Sequence, residues 1–247
     1  MKKEKILNYN IIISNYNDLI LQIKKDIKEN LKKVIIAINP EKILTANKNV
    51  NLKNIINKAD YLIPDGMGIV IASKLKKGKI ASRITGIDMF LKLCELAEKE
   101  KYKIFIYGAK EEVLTKAIKN LLSKFPNLIV AGYQHGYEKD EDKIINKINK
   151  SKANILFVAL GSPKQENFIY NYIDQLDINV FQGIGGSLDV VSGNIQRAPK
   201  IMQDLGLEWL FRLYKEPKRI FRQLKLFEFI GLVLFSKKEP EDDKTIS

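Results

Sequence analysis

The sequence is poor in the residues that build several kinds of catalytic centre. It has one cysteine, Cys94, and one histidine, His135, so it has no disulfide framework, no Cys/His zinc cluster and no pair of histidines for a proton relay. A single cysteine suits a reducing compartment. There is no G-x-G-x-x-G with an acidic residue at the required distance and no G-x-x-x-x-G-K-[ST], which argues against a nicotinamide dehydrogenase or a P-loop enzyme. No apolar run approaches the ~20 residues that span a bilayer; the longest late one is residues 229–235. The opening MKKEKILNYNIII has a basic head, but Asn8, Tyr9 and Asn10 interrupt it, making a poor signal peptide. These features predict a cytoplasmic protein with any membrane association confined to the surface.

Arginine is also scarce, and its placement is informative. Of 42 basic residues in the 247, only five are Arg, and Arg197, Arg212, Arg219 and Arg222 fall within 26 positions. Arg grips phosphate or carboxylate oxygens two at a time, which Lys cannot reproduce; ordinary surface pairing is the plainer alternative. The net charge of +13 divides into +10 over residues 1–194, +6 over 195–238 and −3 over the acidic tail EPEDDKTIS, which reads as disordered. With 45% apolar residues the chain can bury a substantial core.

After a short strand or hairpin (5–14) and a helix (16–32), apolar runs at 34–38, 61–63, 103–107, 128–132, 154–160 and 178–182 alternate with amphipathic stretches such as 111–124. Short, nearly continuous apolar strands separated by helices predict a doubly wound, mostly parallel, Rossmann-like α/β sheet. The core is placed at 1–194, followed by a basic, amphipathic helical appendage at 195–247. Its interleaved apolar and basic residues, from Trp209 to Phe235, suit either a helix in the lipid headgroup layer or a helix pair packed on the core. Apolar helix faces could serve subunit pairing or burial within one chain.

Ligands in such sheets bind beyond the carboxyl ends of the strands, where this sequence puts its glycines and polar residues. Asp65, beside Gly66 and Gly68, could act as a general base or merely cap a helix starting near Ile69. The turns at Gly108 and Gly183–Gly186 could offer backbone N–H groups to a diphosphate. Asp140, Glu141 and Asp142 have the look of a metal-binding triplet, but acids at a helix start commonly just complement its dipole. His135 could be a loop ligand or a packed residue. A basic, aromatic segment and a pI near 9.5 also fit a nucleic-acid binder, which would leave the glycine-rich rim unexplained.

The ordered series PDGMGI (64–69), RITGIDMF (83–90), HGY (135–137), LGSPKQE (160–166), GIGGSLDVVSGNIQRAP (183–199), GLEWLFRL (206–213) and EPKR (216–219), with the Gly108 turn, resembles the WecG/TagA/CpsF glycosyltransferases over roughly residues 35–235. The resemblance implies an inverting, metal-independent enzyme with no cofactor, working at the inner face of a bacterial membrane. Its substrates would be a UDP-sugar donor and a polyprenyl-diphosphate-linked sugar acceptor, with an anionic membrane surface as a partner and no nucleic acid. In one branch of the family the donor is UDP-N-acetylmannosamine and the acceptor N-acetylglucosaminyl-diphospho-undecaprenol, giving the linkage disaccharide of wall teichoic acid. Another UDP-hexose, used in capsule or exopolysaccharide synthesis, is the alternative.

The resemblance puts the candidate base on Asp65 and polar pocket residues on Asn39, Arg83 and Gln165. Arg212, Arg219 and Arg222 are its diphosphate or lipid-binding arginines. Gly108, Tyr137, Gly186 and Asp189, within the same motifs, are expected to contribute to substrate binding. Where the family commonly has Thr, two residues before the pocket Asn, this chain has Ala37 and so lacks a hydroxyl.

Overall fold

The computed structural model describes residues 1–215 and 220–236, without the side chains of residues 204, 212 and 220–223. The chain opens with an antiparallel hairpin, β1 (Lys3–Ile6) and β2 (Tyr9–Ile12). Leu7 and Asn8 join the strands, both at positive φ, as a tight two-residue turn requires. Helix α1 (Tyr16–Lys28) starts where the Asn15 side chain accepts the Asp18 N–H. It ends four residues earlier than the apolar spacing suggests, at a turn in which Asn30 takes positive φ.

The rest alternates as the sequence predicts: β3 (Lys33–Ile38), α2 (Pro40–Asn47), α3 (Val50–Asn57), β4 (Tyr61–Pro64), α4 (Met67–Leu75), α5 (Gly86–Glu100), β5 (Lys103–Gly108), α6 (Glu111–Lys124), β6 (Ile129–Gln134), α7 (Glu141–Ser151), β7 (Ile155–Ala159), α8 (Lys164–Tyr172), β8 (Val180–Gly183), α9 (Ser187–Val191), α10 (Lys200–Asp204), α11 (Glu208–Lys215) and α12 (Ile220–Phe235). Six strands form one parallel sheet in the order β4-β3-β8-β7-β5-β6.

Side chains alternate across this sheet. Val34, Ile36 and Ile38 of β3 pack with the hairpin, α2, α3, α4, α7, α8 and α12, while Ile35 packs on the other face with α1, α5, α6 and α9. The chain therefore leaves β3 towards one face and leaves its neighbour β8 towards the other. Neighbours β7 and β5 diverge in the same way, towards α8 and α6. Connections that leave by opposite faces and also run away from each other along the sheet, β3 to β4 against β8 to α9 beside α6 and β7 to β8 against β5 to β6, open two crevices at the carboxyl edge, the usual ligand positions of this fold.

Among the described residues, the segment after residue 194 is fastened to the core chiefly at two places. On one, α12 lies against α2 and α4 with Phe229 and Val233 fully buried, supported by Lys225–Glu41 (3.2 Å) and by Lys76 Nζ donating to the Ser236 carbonyl (2.6 Å). Its other side leaves Leu224, Phe227, Leu234 and Phe235 exposed. Core packing and an outward apolar face thus coexist on one helix.

The second fastening is ionic. Glu208 accepts from Arg83 Nη1 (2.7 Å) and Arg197 Nε (3.3 Å), and Arg197 grips both Asp88 oxygens at 2.7 Å from the start of α5. Arg83 also donates to the Gln203 carbonyl. Arg197 therefore does not belong with the arginines available to a diphosphate: carboxylates hold both ends of its guanidinium, and the cluster read from the sequence narrows to Arg212, Arg219 and Arg222. Arg219 and the side chains of Arg212 and Arg222 lie outside the described residues.

Glu208→Ala leaves two half-buried arginines without their shared carboxylate, and a loss of about 3 kcal/mol in unfolding free energy is expected by denaturant titration. The Asp88 carboxyl adds a pH signature. Burial alone would push it up, but the hydrogen bonds from Arg197 and Thr85 and the Arg197 charge hold it below its ordinary 3.8. Its contribution is complete above 3.8 and is lost as pH falls through the lower folded value. Melting temperatures between pH 6 and pH 3 should consequently fall less for Asp88→Asn than for the unsubstituted chain.

Candidate active site

Asp65 leaves the end of β4, where its N–H donates to the Ile38 carbonyl (2.8 Å) and Pro64 accepts from Ile84 N–H (2.8 Å). These bonds hold the turn between β3 and the approach to α5. Gly66 takes φ +87°, a conformation that side chains disfavour, and α4 begins at Met67 with no side-chain cap. The capping alternative for Asp65 is thus not what this turn uses. A β-carbon on Gly68 would lie 2.4 Å from Pro40 Cγ, so its glycine lets α4 approach α2.

Tyr16 belongs to the same end of the sheet, and sequence reading missed it. Its hydroxyl accepts the Thr85 N–H (2.8 Å). Burial pushes its pKa up, and the neighbouring Asp88 and Asp65 carboxylates add to the shift. Thr85 caps α5 by accepting the Asp88 N–H. Nothing in the local sequence around Tyr16 signals this contact, because it depends on a residue 69 positions away.

In the crevice between β3 and β8, Asn39 caps α2, its Oδ1 accepting the Lys42 N–H (2.9 Å). Gln165, at 3% exposure, accepts the Gly185 N–H through Oε1 (3.0 Å) and donates through Nε2 to Glu166 Oε1 (3.1 Å). Glu166 is paired in turn with Lys42 at 2.7 Å. A β-carbon on Gly183 would stand 2.5 Å from Gln165 Nε2, and Gly185 takes φ +48°. The expectation for the Gly183–Gly186 turn therefore changes. Its Gly185 N–H is spent on Gln165, and α9 is a helix of five residues. One of the N–H groups expected to face a diphosphate positions Gln165 instead. Gly186 is exposed and Asp189 half-buried in the first turn of α9.

The other crevice, between β7 and β5, carries Gly108 at φ +117°, where a β-carbon would stand 2.5 Å from the Ala159 carbonyl. The 14-residue α6 starts just beyond, after Lys110 and with no side-chain cap, and α9 packs beside it through Asn120 Nδ2 donating to the Val191 carbonyl (2.8 Å). Helix α9, which carries Asp189, therefore lies beside α6. Tyr137, 65% exposed, lies beyond β6; its N–H donates to His135 Nδ1 (3.1 Å), which makes His135 a loop-holding residue. Tyr137 and Asp65 stand at opposite edges of six strands, about 24 Å apart at the usual strand spacing. One small group cannot touch both.

The carboxyl edge thus gathers Asp65, Asn39 and Gln165 at one end, with Gly108 and Asp189 further along and Tyr137 at the far margin. Arg83, predicted for the pocket, is held by Glu208 and the Gln203 carbonyl. In the acidic triplet, Asp140 caps α7 by accepting the Lys143 N–H (2.9 Å) and Glu141 accepts from the Tyr172 hydroxyl. Among the described residues no group of three or more His, Cys, Asp or Glu side chains is placed to hold a metal, and no helix is long and apolar enough to cross a membrane.

A doubly wound α/β sheet with a polar, glycine-turned carboxyl edge is the architecture of nucleotide-dependent enzymes. The chain belongs to the glycosyl transferase WecG/TagA/CpsF family, whose sequence profile matches residues 4–243, and it is a glycosyltransferase. It is 37% identical over 253 aligned residues to the N-acetylglucosaminyldiphosphoundecaprenol N-acetyl-beta-D-mannosaminyltransferase of Bacillus subtilis, with 99% of each chain covered. The enzyme of the same name from Bacillus spizizenii is 38% identical over 206 residues, covering 83% of this chain and 80% of that one.

The glycine at 183 offers a direct check on the crevice. Gly183→Ala must displace the Gln165 amide or the β8 turn, and a stability loss of about 1–3 kcal/mol is expected. Glycosyl transfer should fall with it, measured as UDP release.

Proposed function

We propose that this glycosyltransferase moves N-acetylmannosamine from UDP-N-acetylmannosamine to the N-acetylglucosamine of N-acetylglucosaminyl-diphospho-undecaprenol, with inversion, making the linkage disaccharide of wall teichoic acid. The observation that carries this reading is the match across 99% of the chain to the Bacillus subtilis enzyme named for that transfer. Ala37 supports a second reading, transfer from another UDP-hexose. It lies on β3 beside Ile63 of β4, against Gly86, and puts a methyl where the family commonly carries a hydroxyl. UDP release measured over a panel of UDP-sugars with the lipid-diphosphate acceptor separates the two. UDP-N-acetylmannosamine should be turned over fastest; preference for UDP-glucose would favour the second.

The two crevices suggest how donor and acceptor share the edge. The uridine diphosphate would lie by Gly108 and the start of α6, with Asp189 near the nucleoside, because a helix N-terminus favours the diphosphate charge. The crevice between β3 and β8 lies two strand spacings away, about 10 Å, a reach that puts the sugar among Gln165, Asn39 and Asp65. There the acceptor hydroxyl gives its proton to the Asp65 carboxylate as its oxygen bonds to the anomeric carbon, and the bond from that carbon to the β-phosphate breaks. UDP leaves with the electron pair. Asp65→Asn should lower kcat by about 10²–10⁴-fold with UDP binding retained. Near-normal turnover would remove Asp65 from this role.

Arg212, Arg219 and Arg222 would meet a diphosphate charge, that of the UDP or that of the lipid acceptor, in place of a divalent metal, so turnover should be unchanged by EDTA. The exposed Trp209, Leu210, Tyr214, Leu224, Phe227 and Phe235 would settle α11 and α12 on an anionic membrane at its inner face, beside the lipid acceptor. Truncation is an unsuitable test of that role, since removing α12 uncovers the seats of Phe229 and Val233. Phe227→Ser, at an outward position, keeps the core intact and should weaken sedimentation with anionic vesicles.

A further inference from the structure

Glu166 and Lys42 form a buried ion pair that the transfer chemistry above does not use. Their side chains are 1% and 13% exposed. Taking both charges from water is costly, and an apolar pair of similar volume is often as stable or more so. The pair is also incomplete: among the described residues, Glu166 Oε2 is buried with no hydrogen-bond partner. Burial alone would push the Glu166 carboxyl up, but the Lys42 charge and the hydrogen bonds from Lys42 and Gln165 hold it below the usual carboxylate range, so it is ionised at neutral pH. Stability alone gives little reason for such a group in this place.

Its surroundings give another. Glu166 Oε1 receives both the Lys42 ammonium and Gln165 Nε2, while Gln165 Oε1 receives the Gly185 N–H. Lys42 belongs to α2, whose cap is the pocket residue Asn39. A carboxylate can only accept at this pH and a backbone N–H can only donate, so the amide of Gln165 has one allowed orientation. Its second N–H is directed by the same constraint. Gly183, which has no room for a β-carbon, closes the remaining side of the amide.

We propose that Glu166 and Lys42 are positioning residues for the transfer step: the buried carboxylate, held by Lys42, orients the Gln165 amide and ties the connections after β3, β7 and β8 into one wall of the transfer crevice. This rests on the reading of Gln165 as a substrate-contacting residue. The carboxylate touches no substrate; it acts through Gln165.

The double substitution Lys42→Met with Glu166→Met removes both charges at near-constant volume and leaves no unpaired ion behind. It should melt at or above the temperature of the unsubstituted chain and bind UDP with unchanged affinity, because the diphosphate lies at the other crevice. Its kcat should nevertheless fall about tenfold or more, since a small displacement of a positioning group is costly to the chemical step. Glu166→Met alone should melt lower, with Lys42 stranded. Gln165→Ala supplies the reference. A double variant with normal melting, normal UDP affinity and normal kcat overturns the proposal while Gln165→Ala remains impaired. Normal kcat in Gln165→Ala overturns the underlying reading and this inference with it. Loss of UDP affinity in the double variant, in step with kcat, would contradict the separation of the two crevices and with it the positioning role.

Discussion

Lys42 and Glu166 meet in the interior, one carried by the helix after β3 and the other by the helix after β7, and Gln165 extends the contact to the turn after β8. Parallel strands are paired by backbone hydrogen bonds only along their length. At their carboxyl ends the chain departs towards alternate faces, and single backbone bonds such as Ile184 N–H to the Val158 carbonyl (2.9 Å) join neighbouring exits. The buried pair and the Gln165 amide add side-chain contacts that bridge three of these connections.

A second polar junction does comparable work for the C-terminal segment. Glu208 collects Arg83 and Arg197, and Arg197 passes the connection to Asp88 at the head of α5. Thr85 and Tyr16 extend it towards Asp65. Helix α11 is thereby fixed at its first turn to the same loop that supports the candidate base, and Arg212 lies one helical turn beyond Glu208. Together the two junctions tie the polar edge of the sheet to the segment that carries a helix with an apolar outer face.

Much of this was legible in the sequence. The six apolar runs became the six parallel strands with ends shifted by two residues or fewer, because near-continuous β-branched runs have few other ways to be buried on both sides. The gathering of polar loops at one edge followed from that sheet. What was hidden depends on contacts between distant positions. Nothing in the sequence separates Lys42 from the other lysines, and only its partner 124 residues away makes it a buried ion. Arg197 looked like a member of an arginine cluster until Asp88 and Glu208 were seen to take it. Glu166 stood beside Gln165 in LGSPKQE, so the motif contained it, but local sequence does not say that both neighbouring side chains are buried. Helical spacing in 220–235 indicated amphipathicity without showing that Phe229 and Val233 face the core while Phe227 and Phe235 face outward.

The central claim is a division of labour along the sheet edge, with the nucleotide at the β7/β5 crevice and transfer at the β3/β8 crevice. A crystal structure of the chain with UDP tests it most directly. The account predicts the diphosphate beside Gly108 and the start of α6, the nucleoside within reach of Asp189, and the Gln165–Glu166–Lys42 contacts unchanged. UDP seated between Asn39 and the Gly185 turn, with those contacts broken, would contradict it.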